Sequence, residues 1–598
     1  MATNRHHGDE SVIHDTAVSH TDVEQDEQET KDDQAMVRGS TVTQVDDDEL
    51  MIKIQENLGY KPVSEYQASV VLLRFSQLTS TGLTPNLQYI SQLCNYLRYR
   101  SSHGSLTSAL YFIGGVRVTF STGIAAGGNL AYWQVSFHHE KIDEYQQRTS
   151  LLVTCVFTFI TAAVIAEICS SLPLAGSIYL WAAEAGGPRF GRLFGFIVAW
   201  WSTTAWTTFC ASKLHMWGYY MYSKEIVVFD LDFPSDASDV KFRAVQWIIT
   251  EVMLAVAALW NLFPPRYFKA IFYLSTFFVM LDFVLNMIWL PIATKRTYGF
   301  RSAHDAFMTT YNGTGAPAGW NWCLSYLATA GVLIGFDASG HVAEETKNPS
   351  IAAARGIFWS TVTSGFGACA VVVLFLFCVP DADTLFSFGG EQPFVPLYAA
   401  ILGDGGHIFM NIICVVALWL NTAIAILAAS RLVFAVARDG VLPFSPWVAK
   451  VVDGQPRNAI LVVWGVSALI TCTILPSSVA FTSLVSAAGV PSAAAYGLIS
   501  IGRLFCTPKH FPKPAWSLGR WSKPFHAISI LWNGWVVAVL FSPYEFPVDS
   551  STLNYAPVIM GIVTIFALVS WWIIPAERWL PSQRIQETLL AGERQVEN

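Results

Sequence analysis

Gly331-Val-Leu-Ile-Gly335-Phe336-Asp337-Ala338-Ser339-Gly340-His341-Val-Ala-Glu344-Glu345-Thr-Lys347-Asn348-Pro349 is an apolar stretch holding three glycines and a carboxylate, closed by charge and proline. A helix that crosses lipid satisfies its own backbone. Glycines clustered inside one therefore mark either close helix packing or a break where a ligand meets free N–H and C=O groups. A second stretch has the same character: Tyr111-Phe-Ile-Gly114-Gly115-Val116-Arg117-Val-Thr-Phe-Ser-Thr-Gly123-Ile-Ala-Ala-Gly127-Gly128. The two lie five apolar stretches apart, the spacing of equivalent helices in two successive five-helix units with a site between them near the bilayer midplane.

The rest of the chain sets those stretches in lipid. Of its 598 residues 53% are hydrophobic and 13% charged, against about 25% charged in soluble chains. Crossing the hydrocarbon takes about 20 apolar residues. Such a window finds about twelve spans, at 106–133, 150–172, 193–217, 244–263, 268–293, 323–342, 356–379, 407–433, 460–475, 479–504, 528–541 and 557–574. The expected fold class is all-α, a polytopic transmembrane bundle. The organisation expected is a largely disordered cytosolic tail over 1–104, spans one to five over 105–295, an extracytosolic loop over 296–320, spans six to ten over 321–504, spans eleven and twelve with their preceding cytosolic loop over 505–575, and a cytosolic tail over 576–598. Lys and Arg gather in alternate loops, which puts both termini in the cytosol. The sequon Asn312-Gly313-Thr314 then falls outside.

Several classes are excluded. The net charge of −8 owes much to the acidic tail, and nothing is basic enough for nucleic acid. No Cys-x-x-Cys pair, metal-ligand spacing or nucleophile–base motif appears, so neither an enzyme, a cofactor nor a metal site is expected.

Four ordered motifs resemble one family. Besides the string from Gly335 to Pro349, they are Glu167-Ile-Cys-Ser-Ser-Leu-Pro173-Leu-Ala-Gly176-Ser-Ile-Tyr179, Ser430-Arg431 followed by Ala437-Arg438-Asp439-Gly440-Val-Leu-Pro443, and Leu58-Gly59-Tyr60. Together they resemble the amino acid–polyamine–organocation superfamily, in particular its fungal amino-acid/choline branch, which includes GABA permeases. The resemblance implies the leucine-transporter-type fold with a 5+5 inverted repeat, and alternating access. It implies substrate contacts through backbone at Gly114, Gly115 and Val116 and at Gly335, Phe336 and Asp337. Family members often close the site with an aromatic residue where this chain has Gly331, a departure that could enlarge the pocket. The segments 63–105 and 137–149 also depart from the family pattern.

An ionisable group at membrane depth costs at least about 2.5 kcal/mol, so each invites a functional reading. Asp282 lies mid-span near the face where proton-coupled relatives place a titratable group. It reads as a proton-coupling candidate or as a hydrogen-bonded tie between helices. Asp337 can cap an exposed helix start, orient the break or meet a substrate ammonium. Glu167, Glu344, Glu345 and Arg438 form candidate cytosolic gate pairs. Arg117 reads as a guide for carboxylates or as a paired structural arginine. Trp200, Trp201, Trp206 and Trp217 read as packing or interface residues rather than a cation box. The expected function is a permease, a proton symporter for amino acids or small amines such as GABA, with the substrate, protons and lipid as partners, in the plasma membrane rather than the vacuolar one. Choline or polyamine transport, or a non-transporting nutrient sensor, are the alternatives.

Overall fold

The computed structural model describes residues 111–133, 150–222, 239–341, 343, 349–388, 393–476 and 488–575, apart from positions 175, 265–266, 453–454, 510, 544 and 550–552. The expectations for 1–104, 137–149, 576–598, Glu344 and Glu345 lie outside the described residues.

Among the described residues the chain is helical, and its only strand-like pairings are isolated bridges. The helices are α1 (Phe112–Ala125), α2 (Gly128–Trp133), α3 (Ser150–Ser171), α4 (Ser177–Tyr222), α5 (Val240–Trp260), α6 (Phe268–Thr297), α7 (Ala303–Met308), α8 (Ala318–Val332), α9 (Ala338–His341), α10 (Pro349–Cys378), α11 (Ala382–Ser387), α12 (Phe394–Arg438), α13 (Ser445–Val448), α14 (Arg457–Thr471), α15 (Gly489–Ile501), α16 (Ser522–Leu540) and α17 (Ala556–Ile573). Each of the twelve apolar stretches carries a helix, and among the described residues seven of these are long and apolar enough to cross a bilayer unaided. The other five stretches, the first, third, sixth, tenth and eleventh, carry helices that are broken, kinked, shorter or more polar. The chain is a multi-pass membrane bundle.

Packing sorts these helices into two sets. In one, α1 lies on α8, α3 on α10, α1 on α10 and α3 on α8. The Thr154 and Thr329 hydroxyls meet at 2.9 Å across α3 and α8. In the other, α4, α5, α12 and α14 all pack on one another. There Ser467 Oγ donates to Thr207 O at 2.9 Å, and Asn261 Nδ2 to Ala423 O at 3.0 Å. Lipid offers no hydrophobic drive between helices, so small-residue packing and such bonds hold each set. The four-residue helix α9 touches α4, α10 and α12 and so bridges the two sets. Spans one, two, three and four thus pack against spans six, seven, eight and nine.

A further internal repeat sits in the backbone. Inside α4 the chain leaves helical geometry at Gly187 (φ 62°, ψ −167°), and inside α12 at Gly403 (φ 70°, ψ −178°). This region of φ/ψ space is essentially closed to residues with a Cβ. In both halves a short helix ends on this glycine before the long span begins.

The outer loop is not irregular throughout. Ser302 caps α7, accepting a bond from Asp305 N–H. Residues 309–313 then fold back onto the first span, where Gly127 N–H donates to Tyr311 O at 3.0 Å, Leu130 N–H to Thr309 O at 3.2 Å and Gly313 N–H to Ala125 O at 2.9 Å.

Candidate functional site

The sixth stretch is broken where its glycines suggest. Helix α8 ends at Val332, residues 333–337 form turns with Gly335 at φ 98°, and α9 resumes at Ala338. The helix interruption therefore falls on Gly335, Phe336 and Asp337.

Asp337 is buried, and its carboxylate does not cap a helix. Instead Tyr496 Oη–H donates to Oδ1 at 2.6 Å, Trp206 Nε1–H donates to Oδ2 at 3.3 Å, and His341 Nε2 stands 3.1 Å from Oδ2. On the far side of the imidazole, Ser177 Oγ lies 2.6 Å from Nδ1. Aromatic rings enclose the group: Phe336 stacks on Tyr496 with centroids 4.7 Å apart, and Trp206 meets the His341 ring edge-on at 5.3 Å. A Cβ built on Gly331 meets nothing within 4 Å, and this glycine is exposed although it lies within the span. Trp206 therefore belongs to the site rather than to general packing. His341 was not singled out from sequence, although the Asp337–His341 spacing of i, i+4 directly after a break was the available signal.

In the first stretch the described helix begins at Phe112, and the positions before Tyr111 lie outside the described residues. Gly114, Gly115 and Val116 are helical, and Gly115 N–H already bonds Tyr111 O at 2.9 Å. The helix starts beside Tyr111, so Gly114 falls in the first turn, where backbone donors lack intrahelical partners. The described interruption comes later, at Ala126–Gly127, and its polar groups are taken by residues 309–313. A Cβ on Gly128 (φ 76°) would come within 2.6 Å of Thr309 O, so only glycine lets this loop approach. That break is covered by the outer loop.

Asp282 is fully buried and not alone. Arg117 Nη2 donates to both of its oxygens, at 2.8 and 3.0 Å. Tyr111 Oη–H donates to Oδ2 at 2.5 Å, and Asn286 Nδ2 to Oδ1 at 2.9 Å. Arg117 also donates from Nε to Tyr398 Oη at 3.1 Å, and Tyr398 donates onward to Asn286 Oδ1 at 2.6 Å. Of the two readings of Asp282, the hydrogen-bonded tie between helices matches these contacts. Arg117 is accordingly the paired arginine rather than a guide for solutes. This network ties α1 of one set to α6 and to α12 of the other.

Of the expected gate residues, Glu167 and Arg438 are described, and Glu167 is held by the segment before α16. Glu167 accepts from Ser517 Oγ (3.3 Å), Leu518 N–H (2.9 Å) and Ser522 Oγ (2.6 Å), with His526 Nε2 at 3.9 Å. Arg438 Nε lies 3.8 Å from Asp439 Oδ1, whose other oxygen accepts from Tyr179 Oη at 2.6 Å. No bond links Glu167 to Arg438 among the described residues. Glu167 instead straps the segment before α16 to the end of α3, an arrangement with no marker in local sequence.

Comparison with known proteins fits this geometry. The thiamine transporter thi9 of Schizosaccharomyces pombe is 49% identical over 527 residues, covering 84% of this chain and 86% of that protein. The amino-acid permease BAT1 of Arabidopsis thaliana is 26% identical over 515 residues, covering 82% and 94%. Its homolog in Oryza sativa subsp. japonica is 28% identical over 524 residues, covering 82% and 93%. The profile described as amino acid permease matches residues 106–565. With two interlocked helix sets, a broken sixth span and this match over most of its length, the chain belongs to the amino acid permease family of the amino acid–polyamine–organocation superfamily and is a membrane transporter, not an enzyme.

Proposed function

We propose that this transporter carries an aromatic organic cation of the thiamine class, by alternating access between the two helix sets. The observation that carries the reading is Asp337, a buried carboxylate at the sixth-span break framed by Trp206, Phe336 and Tyr496. A cation held against a carboxylate and the faces of aromatic rings gains both Coulomb and cation–π attraction, and quaternary nitrogen is recognised in this way. The thiazolium of thiamine carries such a nitrogen. Open space at Gly331 suits a flat, two-ring solute better than a small amino acid. The 49% identity to a thiamine transporter points in the same direction.

Amino acids and GABA are the second reading, favoured by the plant relatives and by the first-turn N–H of Gly114, which suits a carboxylate. Asp282 stays in the coupling scheme as one half of a lock: protonating it would release Arg117 and let α1 part from α6 and α12. Uptake of labelled thiamine, GABA, a set of amino acids and choline in a transporter-deficient host, with a pH gradient imposed or collapsed, tests the reading. Thiamine is expected to accumulate and to be competed weakly by GABA and choline. Accumulation of amino acids without thiamine would favour the second reading, and a surface-expressed chain that moves none of them would favour a sensor. Gly331→Phe, which fills the open space, is expected to cut thiamine uptake by about tenfold or more at equal surface level, a pocket-filling loss of about 1.4 kcal/mol or above.

A further inference from the structure

The two buried carboxylates near the middle of the bundle differ in one respect. Asp282 faces a fixed cation, Arg117, whereas Asp337 faces the imidazole of His341, a side chain that can hold or give up a proton. We infer that His341 is a proton-exchange residue: a cationic substrate entering beside Asp337 displaces the proton held by His341, so that substrate and proton compete for one carboxylate. The inference rests on the cationic-substrate reading above.

The geometry is built for both protonation states. In the imidazolium form both ring nitrogens donate, Nε2–H to Asp337 Oδ2 and Nδ1–H to Ser177 Oγ. In the neutral form Nε2–H keeps its bond to Asp337, while the Ser177 hydroxyl rotates and donates to Nδ1. A hydroxyl both donates and accepts, so neither state leaves a buried group without a partner. The balance is one for one. The substrate brings one positive charge, the proton leaves Nδ1 for water, and the charge beside Asp337 is unchanged. Neutrality matters because two cations and one carboxylate in a low-dielectric site would leave an uncompensated charge.

No other described ionisable group competes for this role. Helix α9 packs against α4, α10 and α12. From α4 come Ser177 and the Trp206 ring, and Tyr496 on α15 reaches His341 only through Asp337. The other charged or titratable groups on those helices, among them Glu184, Arg192, Arg355, His407, Arg431 and Arg438, make no bond to His341 among the described residues. Glu344, Glu345 and Lys347 follow in the chain, outside the described residues.

The test is a proton count on purified full-length protein in lightly buffered detergent, using thiamine as the probe and a pH dye as the readout. The window of about pH 5.5 to 8 spans the ordinary histidine range. Unmodified protein is expected to release about one proton per bound thiamine at the acid end and almost none at the alkaline end. Its apparent affinity should rise with pH from the acid end of the window and level off at the alkaline end. In His341→Gln, which keeps a side-chain hydrogen-bonding group, both effects should vanish. Saturable thiamine binding without proton release overturns the inference and leaves the substrate reading standing, and proton release that survives in His341→Gln overturns the assignment to His341. If thiamine binds at no pH, the substrate reading fails and the inference with it. If His341→Gln does not fold, the count on unmodified protein still decides whether substrate and proton compete, and Ser177→Ala replaces it, with the prediction that proton release shifts in pH.

Discussion

At the scale of single residues, the Arg117–Asp282 pair makes the sharpest stability prediction. Both side chains are essentially without solvent. Removing one member of a buried pair strands the other charge, at a cost of about 3–5 kcal/mol. Asp282→Asn is therefore expected to lower the melting temperature in detergent severely, and Arg117→Met combined with Asp282→Asn to recover most of the loss. A single variant as stable as the parent would show that the pair does not tie α1 to α6 and α12. Sequence placed Asp282 at membrane depth but could not show what it faced, because Arg117 is 165 positions away. The same distance problem hid the Trp206 and Tyr496 contacts to Asp337.

At the scale of elements, glycine geometry is the lever. Gly403 sits at φ 70° with open space where a Cβ would go, so Gly403→Ala tests backbone strain alone. A loss of about 1–3 kcal/mol is expected. The helical Gly534, also facing open space, serves as control; its alanine variant should be neutral or slightly stabilising. Equal melting of the two variants would refute the strained kink. The outer loop makes a second prediction. Asn312 Nδ2, the atom a glycan would modify, donates to Ala316 O at 2.9 Å, and Asn312 pairs with Ala126 across a bridge. The sequon should remain unmodified in the folded protein, so Asn312→Gln and endoglycosidase treatment should leave gel mobility unchanged.

At the scale of the whole molecule, transport requires one helix set to move against the other while each stays intact. Cys155 on α3 and Cys369 on α10 lie with their sulfurs 3.8 Å apart inside one set. Bridging them with mercuric ion or a short bifunctional thiol reagent should leave uptake unchanged relative to a Cys369→Ala control treated in the same way. Loss of uptake on bridging would mean that spans two and seven separate during the cycle, and the two-set scheme would have to be redrawn.

Hydropathy was enough to determine a polytopic helical bundle, because lipid forces each span to show its length and period locally; the glycines marked the sixth span as closely packed or broken, and the structure decided for the break. The break at Gly335 was readable because only a residue without a Cβ takes φ 98° there. The interruption at Ala126 and Gly127 was not singled out from sequence, because Gly127 and Gly128 do not differ locally from Gly114 and Gly115. There the returning loop, residues 309–313, supplies the backbone partners. Which charges are paired, which histidine meets the carboxylate, and which helices form each set were decided by tertiary structure alone, since each depends on contacts between side chains far apart in the chain.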